Sequence, residues 1–205
     1  MIIFPGGSTV SRILPKEEFY RRLKINSDLK RKFVSDIRRI TVENSLTENT
    51  LHLKPGTDVV EIIVLALDLK KQTVDDRILE QIARQNKHNI LFIMRFEEQG
   101  HLALYINKLY KTEWQALEAM QLETKGFTLD EVWNGYVEQV AINEESELAV
   151  KEAPVAYRLK RQEEILKLKK NIEKLEKEAR AEKQPKKKFE LAMQVQQLTK
   201  ELDEL

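Results

Sequence analysis

Residues 59–69, VVEIIVLALDL, decide the fold of this 205-residue chain. The run is almost continuously aliphatic, which is typical of a strand buried on both faces of a sheet. Helical spacing of apolar residues follows between Asp75 and Ala83, and two more apolar strands are predicted at Ile90 to Phe96 and Leu102 to Leu109. This order predicts an α/β (α+β) fold with a small mixed sheet, flanking helices and at least one crossover connection.

Two amphipathic helices are predicted ahead of this sheet. The first begins after Pro15, which is followed by two acidic residues, as is common in a first helical turn. The second begins at the capping pair Asn26-Ser27, and its helical spacing continues to Ile40. Leu51 to Leu53 is predicted to be a short strand that enters a turn, because Pro55 and Gly56 follow it.

The domain boundaries follow from a change of composition after a last helix in the body, which starts at a Thr128–Glu131 capping box. We expect residues 1–142 to form the α/β body. Residues 143–154 are rich in glutamate and poor in large apolar side chains, so they are predicted to be an acidic linker. Residues 155–205 are predicted to form a helical tail.

The tail carries two heptad-like segments separated by Pro185, which can open a helix but disrupts the interior of one. The pattern fits a helical hairpin, and it also fits one long kinked helix in an intermolecular coiled coil. Either arrangement needs a facing surface, so we expect the apolar positions to bind a partner or a second copy. They are Ile165, Leu168, Ile172, Leu175, Leu191, Val195, Leu198 and Leu202.

The composition excludes several classes of protein. The chain has no cysteine, which rules out a disulfide scaffold, a thiolate zinc site and an iron–sulfur cluster. Its longest apolar run, Ile62 to Leu67, is far shorter than the roughly 20 residues that span a bilayer. The first residues lack the pattern of a signal peptide, so we expect a soluble, cytoplasmic protein without membrane contact.

The near balance of 35 basic and 34 acidic residues conceals a strong polarity along the chain. Met1 to Ile40 carries ten basic and four acidic residues, whereas Glu113 to Glu147 carries nine acidic residues and one lysine. Basic clusters on one face can neutralise phosphates, although a solvated helix face has the same pattern. The predicted nucleic-acid contacts are Arg21, Arg22, Lys24, Lys30, Arg31, Lys32, Arg38, Arg39, Lys186, Lys187 and Lys188.

The sharpest catalytic signal is Asp68-Leu69-Lys70 at the end of the first buried strand. In nucleases of the PD-(D/E)xK type, such an acid and a second acid hold a divalent cation while the lysine polarises the attacking water. Strand alternation predicts that Asp68 and Lys70 share a face, with Glu43 or Glu48 as the second acid from a neighbouring strand. The same three residues also fit the polar exit of a buried strand.

Other catalytic chemistry has little support in the sequence. The three histidines, His52, His88 and His101, lie far apart and have no metal-ligand spacing, so neither a zinc site nor a catalytic triad is expected. Gly-rich phosphate-binding motifs are missing as well. We therefore expect no cofactor, with Mg²⁺ required only if the chain is a nuclease.

Four further segments resemble a known family: residues 10–16 (VSRILPK), 82–93 (IARQNKHNILFI), 111–114 (KTEW) and 179–186 (ARAEKQPK). Together with the long strand, they make the chain similar to the bacterial domain-of-unknown-function family 4391 over nearly its whole length. The resemblance implies a companion of helicases and DNA methyltransferases in restriction-type, anti-phage gene clusters. It brings no catalytic residue with it.

These observations lead to two main hypotheses, besides a third in which the protein is a DNA-binding adaptor alone. The first is a non-enzymatic accessory subunit of a bacterial DNA-defence complex, which docks on a helicase or methyltransferase, contacts DNA and self-associates through its tail. The alternative is a metal-dependent nuclease centred on Asp68 and Lys70.

Overall fold

The computed structural model describes residues 2–54, 56–142 and 153–203. The chain divides into two compact units, Met1–Ala141 and Ile142–Leu205, here called the body and the tail. Most of the predicted acidic linker, residues 143–152, lies outside the described residues. Within the described parts, every helix is too short or too polar to cross a bilayer.

The body is built on one seven-stranded sheet. Its strands are β1 (Thr9–Leu14), β2 (Ile37–Thr47), β3 (Glu61–Leu69), β4 (Asn89–Phe96), β5 (Gln99–Tyr105), β6 (Leu109–Lys111) and β7 (Gln115–Ala116). Its helices are α1 (Lys16–Arg22), α2 (Ser27–Asp36), α3 (Glu48–Leu51), α4 (Asp76–Arg84) and α5 (Leu129–Ala141). Strands β1 to β6 lie in chain order, and β7 pairs with β5.

The sheet is mixed, as predicted. Strands β3 and β4 are parallel and are joined through α4, whereas every other adjacent pair is antiparallel. The tail consists of α6 (Val155–Ala181) and α7 (Pro185–Asp203), which pack against each other as a hairpin. The predicted fold class is therefore confirmed.

Strand β3 is covered on both of its faces. On one face Leu65, Leu67 and Leu69 join a core that also contains buried side chains of α2 and α4. Because side chains alternate along a strand, Ile62 and Val64 point to the other face, where α5 packs on the sheet. The apolar run thus forms the central strand of a three-layer arrangement.

The predicted continuation of the second helix to Ile40 was wrong. Helix α2 ends at Asp36, and Ile37 and Ile40 belong to β2, where they pair with Leu69 and Leu67 of β3. Both isoleucines are fully buried, as they would also be on the apolar face of a helix. However, β-branched residues also suit a strand, and here that strand pairs with β3. Tertiary pairing therefore overrides the local helical period.

Two other predicted strands differ in detail. Leu51 to Leu53 is not a strand, because α3 occupies Glu48–Leu51 and His52 ends it in the left-handed conformation, with φ of +55°. The predicted strand from Leu102 to Leu109 is divided between β5 and β6, which pair as an antiparallel hairpin. The turn between them falls within the predicted strand.

A carboxylate braces the loop that leads into β3. Asp130, in the first turn of α5, accepts hydrogen bonds from the backbone N–H groups of Thr57, Asp58 and Val59, at 3.0 Å for Asp58 and 2.8 Å for Val59. These hydrogen bonds lower the pKa of the Asp130 carboxyl below its ordinary value, and the bond from the Thr57 N–H has the largest effect. One charged side chain therefore joins α5 to the start of the central strand.

We expect Asp130→Ala to lower the free energy of unfolding by about 2 kcal/mol, because three backbone donors lose a charged acceptor. The brace contributes stability above the ordinary pKa of an aspartate, and this contribution is lost as the pH falls through the lowered pKa of the folded state. Urea denaturation from neutral to acidic pH measures both effects. The exposed Asn134 of α5 provides the control, Asn134→Ala, and equal effects of the two substitutions would contradict the brace.

Candidate nucleic-acid interface

A groove of about 410 Å³ opens in the body between α1, the end of α4 and strands β1 and β2. Its floor is apolar, and its rim carries polar and charged side chains. The floor residues are Leu14, Phe19, Leu23, Val42 and Ile82. The rim residues are Arg12, Glu18, Arg22, Gln85, Asn86, Lys87 and His88.

Side-chain amides fix the shape of one end of the groove. The Gln85 carbonyl oxygen accepts the backbone N–H of Lys24 at 2.7 Å, and its NH₂ group donates to the Lys24 carbonyl at 3.4 Å. The same NH₂ group also donates to Gln81 at 2.7 Å. In the next residues, the Asn86 side chain accepts the His88 backbone N–H at 3.0 Å. The chain leaving α1 is thus fastened to the end of α4.

The groove rim has a positive charge that the body does not neutralise. Arg12, Arg22 and Lys87 are exposed, and none of them forms an ion pair with a carboxylate among the described residues. Among the described residues, Glu18 is the only acidic one that lines this groove. Unpaired cations beside an apolar floor favour an anionic ligand with an apolar part.

His88 extends this surface from the connection between α4 and β4. Its Nδ1 lies 3.5 Å from a carboxylate oxygen of Glu61, and the other oxygen of Glu61 accepts a hydrogen bond from the Ser45 hydroxyl. The carboxylate therefore lies between the hydroxyl and the imidazole. This order differs from that of a catalytic triad, in which the imidazole contacts the nucleophile.

Three side chains of the predicted basic cluster form ion pairs with acidic residues of the body. Lys32 forms an ion pair with Asp75 at 2.7 Å, Arg39 with Asp68 at 2.6 Å, and Arg31 a longer one with Asp28 at 3.6 Å. The remaining residues of the first stretch, all exposed, are Arg21, Arg22, Lys24, Lys30 and Arg38. Lys186, Lys187 and Lys188 lie at the start of α7, in the other unit.

Only Arg22 of that predicted set lines the groove. The other two cations that line the groove are Arg12 of β1 and Lys87, which follows α4. Each of these two residues is a single charge in its own segment, so clustering along the sequence gave no signal for them. Only the folding of β1 and α4 beside α1 brings the three cations together.

A second polar cluster lies across the central strands. Arg39 of β2 and Arg95 of β4 flank Asp68 of β3 in register, and the Arg39 Nε donates to the Asp68 carboxylate at 2.7 Å. Arg95 reaches across β3 to Glu43 of β2, with nitrogen–oxygen distances of 2.6 and 2.8 Å. Each carboxylate is therefore held by an arginine.

Lys70 lies one residue beyond the strand that carries Asp68. Strand β3 ends at Leu69, and the Lys70 ammonium donates to the Val34 carbonyl at 2.9 Å rather than pairing with Asp68. Strand alternation applies only within the strand, so the shared face of Asp68 and Lys70 stays a prediction. In the described part of the chain, no three histidine or carboxylate side chains gather in a way that could hold a metal ion.

The three histidines lie in separate environments, in agreement with their sequence spacing. His52 is exposed after α3, and His88 contacts Glu61. His101 is buried in β5 against Trp114, with ring centroids 4.5 Å apart, and burial lowers the pKa of its imidazole. His101 is therefore part of the buried interior of the body.

In the tail, the predicted apolar positions form the seam of the hairpin. All eight are half-buried, whereas most of their neighbours are exposed. Phe189 and Met193 lie on the opposite side of α7 and remain 66% and 51% exposed. The hairpin thus uses its heptad seam internally and leaves a second apolar surface outside.

In a comparison with known protein families, the chain matches the model of the domain of unknown function DUF4391 over residues 2–202. The chain belongs to the DUF4391 family. Neither curated proteins nor solved structures gave a significant match. For this DUF4391 protein, inferences about activity therefore depend on its own geometry.

The Gln85 contact gives a local prediction for this DUF4391 protein. In Gln85→Ala the Lys24 amide loses its acceptor, so its hydrogen exchange should accelerate by roughly fivefold, equivalent to the loss of about 1 kcal/mol of protection. Exchange measured by NMR tests this. The Leu29 N–H, which donates to the Asn26 side-chain oxygen at 2.8 Å, is the internal control, and its exchange rate should not change. Unchanged exchange at Lys24 would show that Gln85 does not fasten the chain that leaves α1.

Proposed function

We propose that this protein is a non-enzymatic accessory subunit of a bacterial DNA-defence complex of the restriction type. In this role its body contacts DNA through the groove rim. Its helical tail docks on a helicase or DNA methyltransferase of the same gene cluster. The partner class and the genetic context come from the resemblance to family 4391, and the contact surfaces come from the geometry.

The observation that carries this proposal is the contrast between the two charged regions of the body. At the nuclease-like position, arginines hold both Asp68 and Glu43. At the groove, by contrast, Arg12, Arg22 and Lys87 have no carboxylate partner among the described residues. Charges that are already paired suit a structural role, and unpaired cations suit the neutralisation of phosphates from outside.

The proposed docking surface is the outer side of α7. Its two large side chains, Phe189 and Met193, are one helical turn apart and leave the hairpin seam free to hold α6 and α7 together. Aromatic side chains and methionines are enriched at protein interfaces, and methionine adapts its shape to different partners. This surface therefore replaces the heptad seam as the proposed contact with the partner.

We expect Phe189→Ser combined with Met193→Ser to weaken docking by about 2 kcal/mol or more, because both side chains lose their burial at the interface. The measurement is titration calorimetry of the full chain with each purified helicase or methyltransferase from the same gene cluster. Circular dichroism should show an unchanged helix content, since the seam is intact.

The matched control is Leu166→Ser on α6, which removes an apolar side chain of similar exposure, 48%, away from that surface. Its binding should equal that of the unchanged chain. If the double variant binds as tightly as the control, the outer side of α7 is not the docking surface. If the unchanged chain binds none of these enzymes, the accessory role is wrong.

The nuclease alternative has one observation in its favour. Glu43 and Asp68 lie on adjacent strands, and Arg95 joins them, because it pairs with Asp68 in register and bonds to Glu43. The arrangement as it stands does not fit a Mg²⁺ site, because a cation would have to displace the arginines from both carboxylates. The alternative therefore needs a rearrangement of this cluster.

If the alternative holds, the purified chain cuts DNA only with Mg²⁺ or Mn²⁺, and Asp68→Asn and Lys70→Gln each abolish the cutting while the fold remains intact. Cleavage of plasmid and single-stranded DNA is measured, with circular dichroism as the check of folding. The control is Asp76→Asn, which removes a carboxylate that pairs with Lys111 at 2.8 Å. Absence of cutting by the unchanged chain, or equal cutting by all variants, contradicts the alternative.

A further inference from the structure

We propose that the groove between α1, α4 and β1 binds one unpaired nucleotide of a DNA strand, so that the body prefers single-stranded to duplex DNA. This inference names the DNA form, and it rests on the DNA contact of the proposed function. It uses two properties of the groove, its apolar floor and its unpaired cationic rim.

The apolar floor favours an unpaired base. Duplex DNA presents its phosphates and the edges of its bases to a protein, whereas the faces of its bases are stacked and covered. An unstacked base exposes an apolar face, and proteins that bind single strands cover such faces with apolar or aromatic side chains. Leu14, Phe19 and Val42 supply such a surface at the bottom of the groove.

The size of the groove also favours a single nucleotide over a duplex. Its volume of about 410 Å³ lies within the range of small-molecule sites, roughly 300–1,000 Å³, into which a nucleotide fits but a duplex does not. A duplex would therefore touch only the rim of the groove, without using its floor.

The rim cations come from three separate elements. Arg12 projects from β1, in register with Val42 of the floor, while Arg22 ends α1 and Lys87 follows α4. Cations on different sides of one groove suit a DNA strand that enters and leaves the groove, because each nucleotide of that strand is flanked by two phosphates. Basic residues on a single helix face would contact only one stretch of backbone.

Two further side chains adjust this site. Asn86 uses its carbonyl oxygen for the His88 N–H, and its NH₂ group has no partner among the described residues, so it can donate to an acceptor on a base edge. Glu18 is the one acid in the groove lining that the structure describes, and its charge opposes a phosphate. The site should therefore bind more tightly when this charge is removed.

Fluorescence anisotropy of the full chain with a labelled oligothymidine, and with a blunt duplex of the same length, tests the inference. We expect single-stranded DNA to bind about tenfold more tightly than the duplex, as a single stacked base accounts for a difference of this size. The double variant Arg22→Gln, Lys87→Gln should lower the salt slope of single-strand binding by about 1.4, or about 0.7 for each lost phosphate contact. Glu18→Gln should raise the affinity.

Two controls separate the groove from general basic charge. Arg31→Gln with Arg38→Gln removes the same charge from exposed positions outside the groove, and its salt slope should change less than that of the groove variant. Val42→Phe keeps every charge but fills the floor, so it should weaken single-strand binding by about tenfold and leave duplex binding unchanged. Thermal melting checks that each variant folds.

The outcomes distinguish this inference from the proposed function. If neither DNA form binds, the DNA contact of the proposed function is wrong, and this inference fails with it. If both forms bind equally and the groove variants match the Arg31 and Arg38 control, DNA contact stands and the groove is not its site. A preference for single strands that Val42→Phe removes, together with a salt slope that the Arg22 and Lys87 variant lowers more than the control does, establishes the nucleotide site.

Discussion

Burial of β3 on both faces is the constraint on which the rest of the body depends. Ile62, Val64 and Leu67 are fully buried, and each large aliphatic side chain removed from water contributes about 1.5–3 kcal/mol. Because helices must cover both faces, α4 has to pass over the sheet between β3 and β4, which are parallel. The same crossover places the residues between α4 and β4 beside β1, where they line the groove.

The same central strand explains which parts of the fold were predictable from the sequence. The aliphatic run, the Asp75 cap of α4 and the heptads of the tail are strong local signals, and the structure has an element at each of these places. Ile37 and Ile40 fitted a helical period equally well. Their place in β2 depends on pairing with Leu69 and Leu67, a long-range effect that a local pattern does not contain.

The candidate site was less predictable than the fold, for a related reason. A run of basic residues is visible in a sequence, but ion pairing with distant acids decides which charges remain available. Asp75 and Asp68 take up Lys32 and Arg39, whereas Arg12 and Lys87 stay unpaired among the described residues. Glu43 lies on the strand next to β3, but its ion pair with Arg95, 52 residues further along the chain, has no local signal in the sequence.

The Asp130 brace has a consequence for the order in which the newly made chain can fold. Val59 and Asp130 are 71 residues apart, so the loop into β3 stays unfastened until the ribosome has made the first turn of α5. At a synthesis rate of about 5–20 residues per second, this delay lasts several seconds. During that time one face of β3 also lacks its covering helix, so the nascent body exposes an aliphatic surface. Chaperones that shield apolar segments would meet the chain in this interval.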